Sequence, residues 1–138
     1  MLIRLLYISR SVGPQTSTVT GSILKTSLTN NRINQITGVL CQGVGFFIQV
    51  LEGERNNVNE LFLKIANDRR HKNVELISFE EVTLRKYPKW LMAHIDLSEM
   101  DPMVALKHPE FDPYSASGKF LNQQLEDWIL SGSPINPA

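Results

Sequence analysis

Gln49 interrupts an otherwise apolar run, FFIQVLEG, and Tyr7 ends the apolar face of another, LIRLLYIS. Asn31 stands just past a segment of helical character. A glutamine set among large apolar side chains carries two N–H donors and an oxygen with two lone pairs. Once buried it must find partners or cost roughly 1–3 kcal/mol. A phenol can release an electron and then a proton to an oxidant, and an amide can exchange donor for acceptor at nearly constant shape. Taken singly, each residue also has a structural role open to it: Tyr7 at a strand end, Asn31 as a helix C-cap, Gln49 on a half-solvated edge.

The residue types of hydrolases and transferases are present but not arranged to work. His71, His94 and His108 share no metal-ligand spacing, and the single Cys41 cannot complete a zinc site with them. Ser9 and Ser78 lack a nucleophile-elbow context. Glu80 and Glu81 fall on opposite faces of a strand. The glycines of GVGFFIQVLEG punctuate a hairpin and not a phosphate-binding loop. Asp68 and Arg70 are spaced for a helix-end ion pair. Neither an enzymatic activity nor a metal site is expected.

The elements that must position these side chains are legible from periodicity. Leu2 to Ser9 alternates with apolar residues on both faces, which predicts an interior strand covered above and below. Ile3, Leu5 and Tyr7 share one face, and Leu2, Leu6 and Ile8 the other. Thr16 to Asn30 reads as a helix with Val19, Ile23, Leu24 and Leu28 on one side, held by packing more than propensity. Ile36 to Cys41 and Phe46 to Glu52 form a hairpin around Gln42-Gly43-Val44-Gly45. Asn57 with Glu60 predicts a capping box for a second helix ending near Arg69-Arg70-His71. Val74 to Thr83 and Trp90 to Leu97 predict two more strands. The order βαββαββ predicts an α+β, ferredoxin-like sheet with two helices on one face and the first strand in the middle. Beyond it, Asp101 to Leu106 and a helix capped by Ser117 form a C-terminal helical extension. Phe120, Leu121, Leu125, Trp128 and Ile129 make the apolar stripe of the second helix, which is expected to cover the sheet's other face or meet a neighbouring subunit. Two units follow from this, residues 1–97 and 98–138.

Composition agrees with a compact soluble protein. Hydrophobic residues make up 42% and charged residues 20%, with fourteen basic residues against fourteen acidic ones. No basic stripe points to nucleic acid. No apolar stretch approaches the roughly 20 residues that span a bilayer, and no signal peptide opens the chain, so a cytoplasmic protein is expected.

In order and spacing the motifs resemble those of the BLUF family of flavin photoreceptors, from Leu2 to about Leu97. Tyr7 followed by Ser9 is similar to the family's first-strand signature. Asn31 with Ile36-Thr37-Gly38 is similar to the second, and GFFIQVLEG at Gly45 to Gly53 to the third. IANDRRH, ending at His71, and YPKWLM, ending at Met92, resemble the fourth and fifth.

The resemblance implies a blue-light sensor with an oxidised flavin, FAD or alternatively FMN, held between the two helices. It makes Tyr7 the electron and proton donor and Gln49 the amide between Tyr7 and the flavin. Asn31 is implied at the ring's polar edge, and Ile23, Asn30, Ile65, Asp68, Arg70 and His71 along the ring or its ribityl chain. Lys64 stands where many relatives carry arginine. Ser9, Trp90 and Met92 join the photoactive set, with either Trp90 or Met92 facing the flavin. The short tail leaves no room for a cyclase or phosphodiesterase after residue 97, so the expected output is to a downstream signalling protein, from a homo-oligomer. A flavin-free, ferredoxin-like interaction module is the competing account. An acylphosphatase-like enzyme is a weaker one, because SRSVGPQ offers Arg10 but no Asn.

Overall fold

A computed structural model describes residues 1–13, 17–43, 45–96 and 114–131. The chain runs β1 (Leu2–Ser11), α1 (Ser17–Asn34), β2 (Thr37–Gly43), β3 (Phe46–Glu54), α2 (Arg55–Ala66), β4 (His71–Glu81), β5 (Ala93–Asp96) and α3 (Gly118–Ser131). The sheet order is β4-β1-β3-β2-β5. β1 is antiparallel to β3 and β4, β2 is antiparallel to β3, and β5 joins β2 in parallel. The expected α+β, ferredoxin-like sheet is therefore present, with β5 added at one edge. β1 is interior, as its two apolar faces require, although β3 holds the centre.

Alternation along β1 and β3 sends side chains to two cores. Ile3, Leu5, Tyr7, Ile36, Leu40, Phe47, Leu51 and Met92 pack with Ile23 of α1 and Val58 of α2. On the reverse face Leu6, Ile8, Val39, Cys41, Ile48, Val50, Ala93 and Ile95 pack with Leu121, Leu125 and Trp128 of α3. The sheet's second face is thus covered by the chain's own last helix, whose Phe120 N–H is capped by Ser117 Oγ at 3.1 Å. The expected helix from Asp101 to Leu106 lies outside the described residues, as do Thr16 and Leu97.

Several boundaries differ from those expected. α1 continues past Asn30 to Asn34, so Asn31 is helical and not a cap. The helix ends in a Schellman turn: Gln35 takes φ 54 and the Ile36 N–H returns to the Asn31 carbonyl at 2.9 Å. α2 begins directly after β3, with Glu54 at the N-cap and no side-chain cap. The capping box does not form, because Asn57 lies inside the first turn and donates instead to the Asn34 carbonyl at 3.2 Å. α2 also stops at Ala66, so Arg69 and Arg70 follow it and His71 opens β4. β5 begins at Ala93 and not at the expected Trp90, although the Trp90 carbonyl still accepts the Gly38 N–H of β2 at 2.9 Å.

The link from β4 to β5 must cross from one edge of the sheet to the other, and Glu52 fixes it. This carboxylate is fully buried, receives Arg4 Nε at 2.9 Å, and accepts the backbone N–H groups of Lys86 at 2.8 Å and Tyr87 at 2.7 Å. Arg85 secures the same link through the carbonyls of Gln35 and Glu52 and through Thr37 Oγ1. Removing one partner of a buried charged pair leaves the other uncompensated. Glu52→Ala should cost about 3–5 kcal/mol, read as a lowered urea midpoint, whereas Glu52→Gln, which keeps an acceptor, should cost less. Equal stability of Glu52→Ala and wild type would show that the anchor is dispensable.

Candidate functional site

Tyr7 and Gln49 are brought together by register: they are directly opposed across β1 and β3 and point to the same face. The Tyr7 hydroxyl donates to Gln49 Oε1. Gln49 Nε2 in turn donates to Met92 Sδ at 3.2 Å. All three side chains are buried, so the relay runs through apolar surroundings where each mismatched donor or acceptor is costly. Burial, reinforced by the Asp68 carboxylate, pushes the Tyr7 phenol well above its ordinary pKa, and it stays protonated at neutral pH. The Phe62 ring sits 5.6 Å from that of Tyr7.

His71, at the head of β4, faces the same strand. Its Nδ1 lies 2.8 Å from Ser9 Oγ, and its ring packs against Phe47 at 5.2 Å and Tyr7 at 6.4 Å. Burial lowers its pKa against the opposing pull of Asp68, which favours a neutral imidazole. Asp68 is gripped by Arg70 through Nε at 3.0 Å and Nη2 at 2.6 Å, and by the Arg70 backbone N–H at 2.8 Å. That fork holds the Asp68 carboxyl down at about 2.

Above this floor, between α1 and α2, lies a cleft of about 210 Å³. Tyr7, Ile23, Asn30, Gln49, Lys64, Ile65, Asp68, Arg70 and His71 all line it. Thr26, Ser27, Leu40 and Leu61 line it too and were not singled out from the sequence. Helical spacing held the signal for three of them: Thr26 and Ser27 follow Ile23 by three and four, and Leu61 precedes Ile65 by four. Leu40 is opposed to Gln49 across β2 and β3. Asn31 is buried behind the cleft. Its Nδ2 donates to the Leu91 carbonyl at 2.6 Å, while its Oδ1 is buried with no partner. Trp90 and Met92 part company: Met92 belongs to the Tyr7 core, and Trp90 packs on the α3 side, stacked on Tyr87 with ring centroids 5.7 Å apart.

Aliphatic walls from Ile23, Leu40, Leu61 and Ile65, with amide, hydroxyl and charged groups at the ends, fit a planar heteroaromatic group with a polar periphery. The buried Asn31 oxygen asks for an N–H donor of the kind such a ring carries. Among the described residues no three His, Cys, Asp or Glu side chains form a metal site, and no helix is long and apolar enough to cross a membrane.

A sheet of this order with such a cleft fits a domain that holds a planar cofactor, and comparison with known proteins identifies its class. The profile of the family described as BLUF, sensors of blue-light using FAD, matches residues 2–93, and the chain belongs to that family. It is thereby a sensor of blue light that uses FAD. Subunit beta of the photoactivated adenylate cyclase of Euglena gracilis is 32% identical over 131 residues, 94% of this chain and 15% of that protein. A bacterial light-regulated adenylyl cyclase superposes with a TM-score of 0.77 at 34% identity, over 99% of this chain and 41% of that one. The dark-state structure of BlrB, a BLUF protein, superposes with a TM-score of 0.79 at 28% identity, over 93% and 94% of the two chains. The chain thus spans 15% of the Euglena cyclase subunit and 41% of the bacterial cyclase.

The Asp68 fork yields a pH dependence of known sign. A carboxyl held lower in the folded state contributes stability that is complete above its unfolded value, about 4, and is lost as pH falls through about 2. The stability difference between wild type and Asp68→Asn, measured by urea unfolding, should shrink as pH is lowered from 5 toward 2. A difference that stays constant across that window would mean the fork does not operate.

Proposed function

We propose that Tyr7, Gln49 and Met92 are the light-responsive element of this sensor. The observation that carries it is the unbroken relay from Tyr7 through Gln49, which both line the cleft, to the buried Met92. FAD, when bound, supplies the blue-light absorption and a transient acceptor for one electron and one proton. Tyr7 gives up both and takes both back, so no net chemistry remains. What outlasts the exchange is the orientation of the Gln49 amide. Rotation swaps its oxygen and nitrogen, turning an acceptor toward Met92 and a donor toward Tyr7 or the cofactor. A donor from Gln49 turned toward the bound cofactor would lower its excitation energy slightly, and a small red shift that reverses in the dark is expected.

Asn31 would hold the polar edge of the ring through its unpartnered oxygen, with Ile23, Ile65 and Asn30 against the ring. Lys64, Asp68, Arg70 and His71 would serve the cofactor's polar end, and Ser9 would orient His71. The chain would catalyse no reaction of its own. It would act from the cytoplasm as a homo-oligomer that passes its state to a downstream signalling protein. The two-unit division at residue 97 belongs to the same proposal.

Tyr7→Phe should keep the flavin and abolish the red shift, because phenylalanine fills the space without a transferable proton. Gln49→Leu should do the same by removing the relay. A normal photocycle in either variant, followed by absorption spectroscopy, would overturn these roles. Asn31→Ala should weaken flavin retention by roughly 1–3 kcal/mol, measured by equilibrium dialysis.

Output is expected through α3, since β3 carries Gln49 on one face and Ile48 and Val50 against α3 on the other. Hydrogen exchange along Gly118–Ser131 should differ between light and dark, and sedimentation in the dark should show more than one subunit. Identical exchange in both states would remove α3 from the signalling path.

A further inference from the structure

The Tyr7 hydroxyl is fixed by its bond to Gln49, but that bond does not fix the ring. A phenol oxygen lies on the axis about which the ring turns. Rotation about χ2 therefore leaves the oxygen in place while the ring plane swings through a broad range. Neighbouring groups must set the plane, and two aromatic rings stand beside it. His71 meets the Tyr7 ring edge-on, with 6.4 Å between centroids and 74° between planes, and is itself held by Ser9 Oγ at 2.8 Å. Phe62 of α2 meets it at 5.6 Å and 54°. Val58, Phe62 and Ile65 recur at helical spacing on the side of α2 that packs on the Tyr7 core. His71 also lines the cleft, whereas Phe62 is not among the cleft-lining residues. Phe62 thus reaches Tyr7 without forming a wall of the cofactor's pocket.

We propose that Phe62 is a positioning residue for the light-driven electron release, holding the Tyr7 ring in the plane from which the electron leaves. The inference rests on Tyr7 being the donor. The electron passes from the π-system of the phenol to the photoexcited FAD and later returns, and the phenolic proton follows it both ways. Coupling depends on how the ring plane is presented to the acceptor, and not only on where the oxygen sits. A tilted aromatic pair favours its own arrangement over others by roughly two- to tenfold in population. An aliphatic side chain fills similar space but has no ring quadrupole with which to select one tilt. The Tyr7 ring would then sample planes that couple poorly while its hydroxyl stayed on Gln49.

The test uses the FAD-loaded full chain carrying Phe62→Leu or, as a second aliphatic variant, Phe62→Met, both checked for flavin content and for fold by circular dichroism. NMR of ring-labelled tyrosine in the dark should show faster flips of the Tyr7 ring in both variants. After a blue pulse, the excited state of the bound FAD should decay roughly two- to tenfold more slowly than in wild type, with a lower yield of the red-shifted form. Replacing Phe62 by para-fluorophenylalanine, which keeps the ring, should restore the wild-type flips and decay. In a Tyr7→Phe background the aliphatic variants should slow the decay no further. Wild-type decay in both aliphatic variants would overturn the proposal. So would an equal further slowing in the Tyr7→Phe background, since Phe62 would then act on the cofactor and not through Tyr7. If Tyr7→Phe itself decays like wild type, the donor reading fails and this inference with it. If Tyr7→Phe slows the decay while Phe62→Leu and Phe62→Met do not, this inference alone fails.

Discussion

The hydrogen bond from Tyr7 to Gln49 is the contact on which the rest of the structure turns. Two polar side chains are opposed on neighbouring strands inside a core that would otherwise be aliphatic. Left unmade, such a bond costs roughly 1–3 kcal/mol per buried group, so the structure favours an arrangement in which both are paired. Met92 at its nitrogen and Tyr7 at its oxygen define the arrangement seen here.

Keeping that pair dry requires cover on both faces of the sheet, and the chain supplies each differently. α1 and α2 close the Tyr7 face but leave the cleft between them, lined by polar groups that come mostly from the second halves of the two helices and the turn after α2. α3 closes the reverse face with Leu121, Leu125 and Trp128. The β4–β5 link reaches both sides: Met92 enters the Tyr7 core, and Tyr87 and Trp90 join the α3 core. Glu52 is its fixed point. Through Met92, Gln49 therefore borders directly on a segment already engaged with α3.

Much of this was legible in the sequence because the physics was local. Two-faced alternation in β1 placed that strand in the interior, and the same period put Ile3, Leu5 and Tyr7 on the cleft side. The stripe of Leu121, Leu125 and Trp128 marked a helix with a face to bury, though not whether that face was covered within the chain. What sequence did not reveal were features decided by long-range partners. Asn31 reads as a cap by type but is held in the helix, with its amide drawn to Leu91, sixty residues away. Asn57 and Glu60 have capping-box spacing, yet the direct passage from β3 into α2 moves the helix start to Arg55. Glu52 looks like a strand-end charge until the β4–β5 link folds over it. The division of Trp90 and Met92 between the two cores is likewise set by the link's path and not by either residue's type.

The most direct test of this account is the side-chain amide of Gln49, observed by NMR in selectively labelled, FAD-loaded protein before, during and after blue illumination. The Gln49 side-chain proton and nitrogen resonances should shift in the light and return in the dark at the rate at which the absorption red shift decays. Gln49 resonances that stay fixed while the absorption band moves would contradict the account, because the spectral change would then arise without the amide on which it is said to depend.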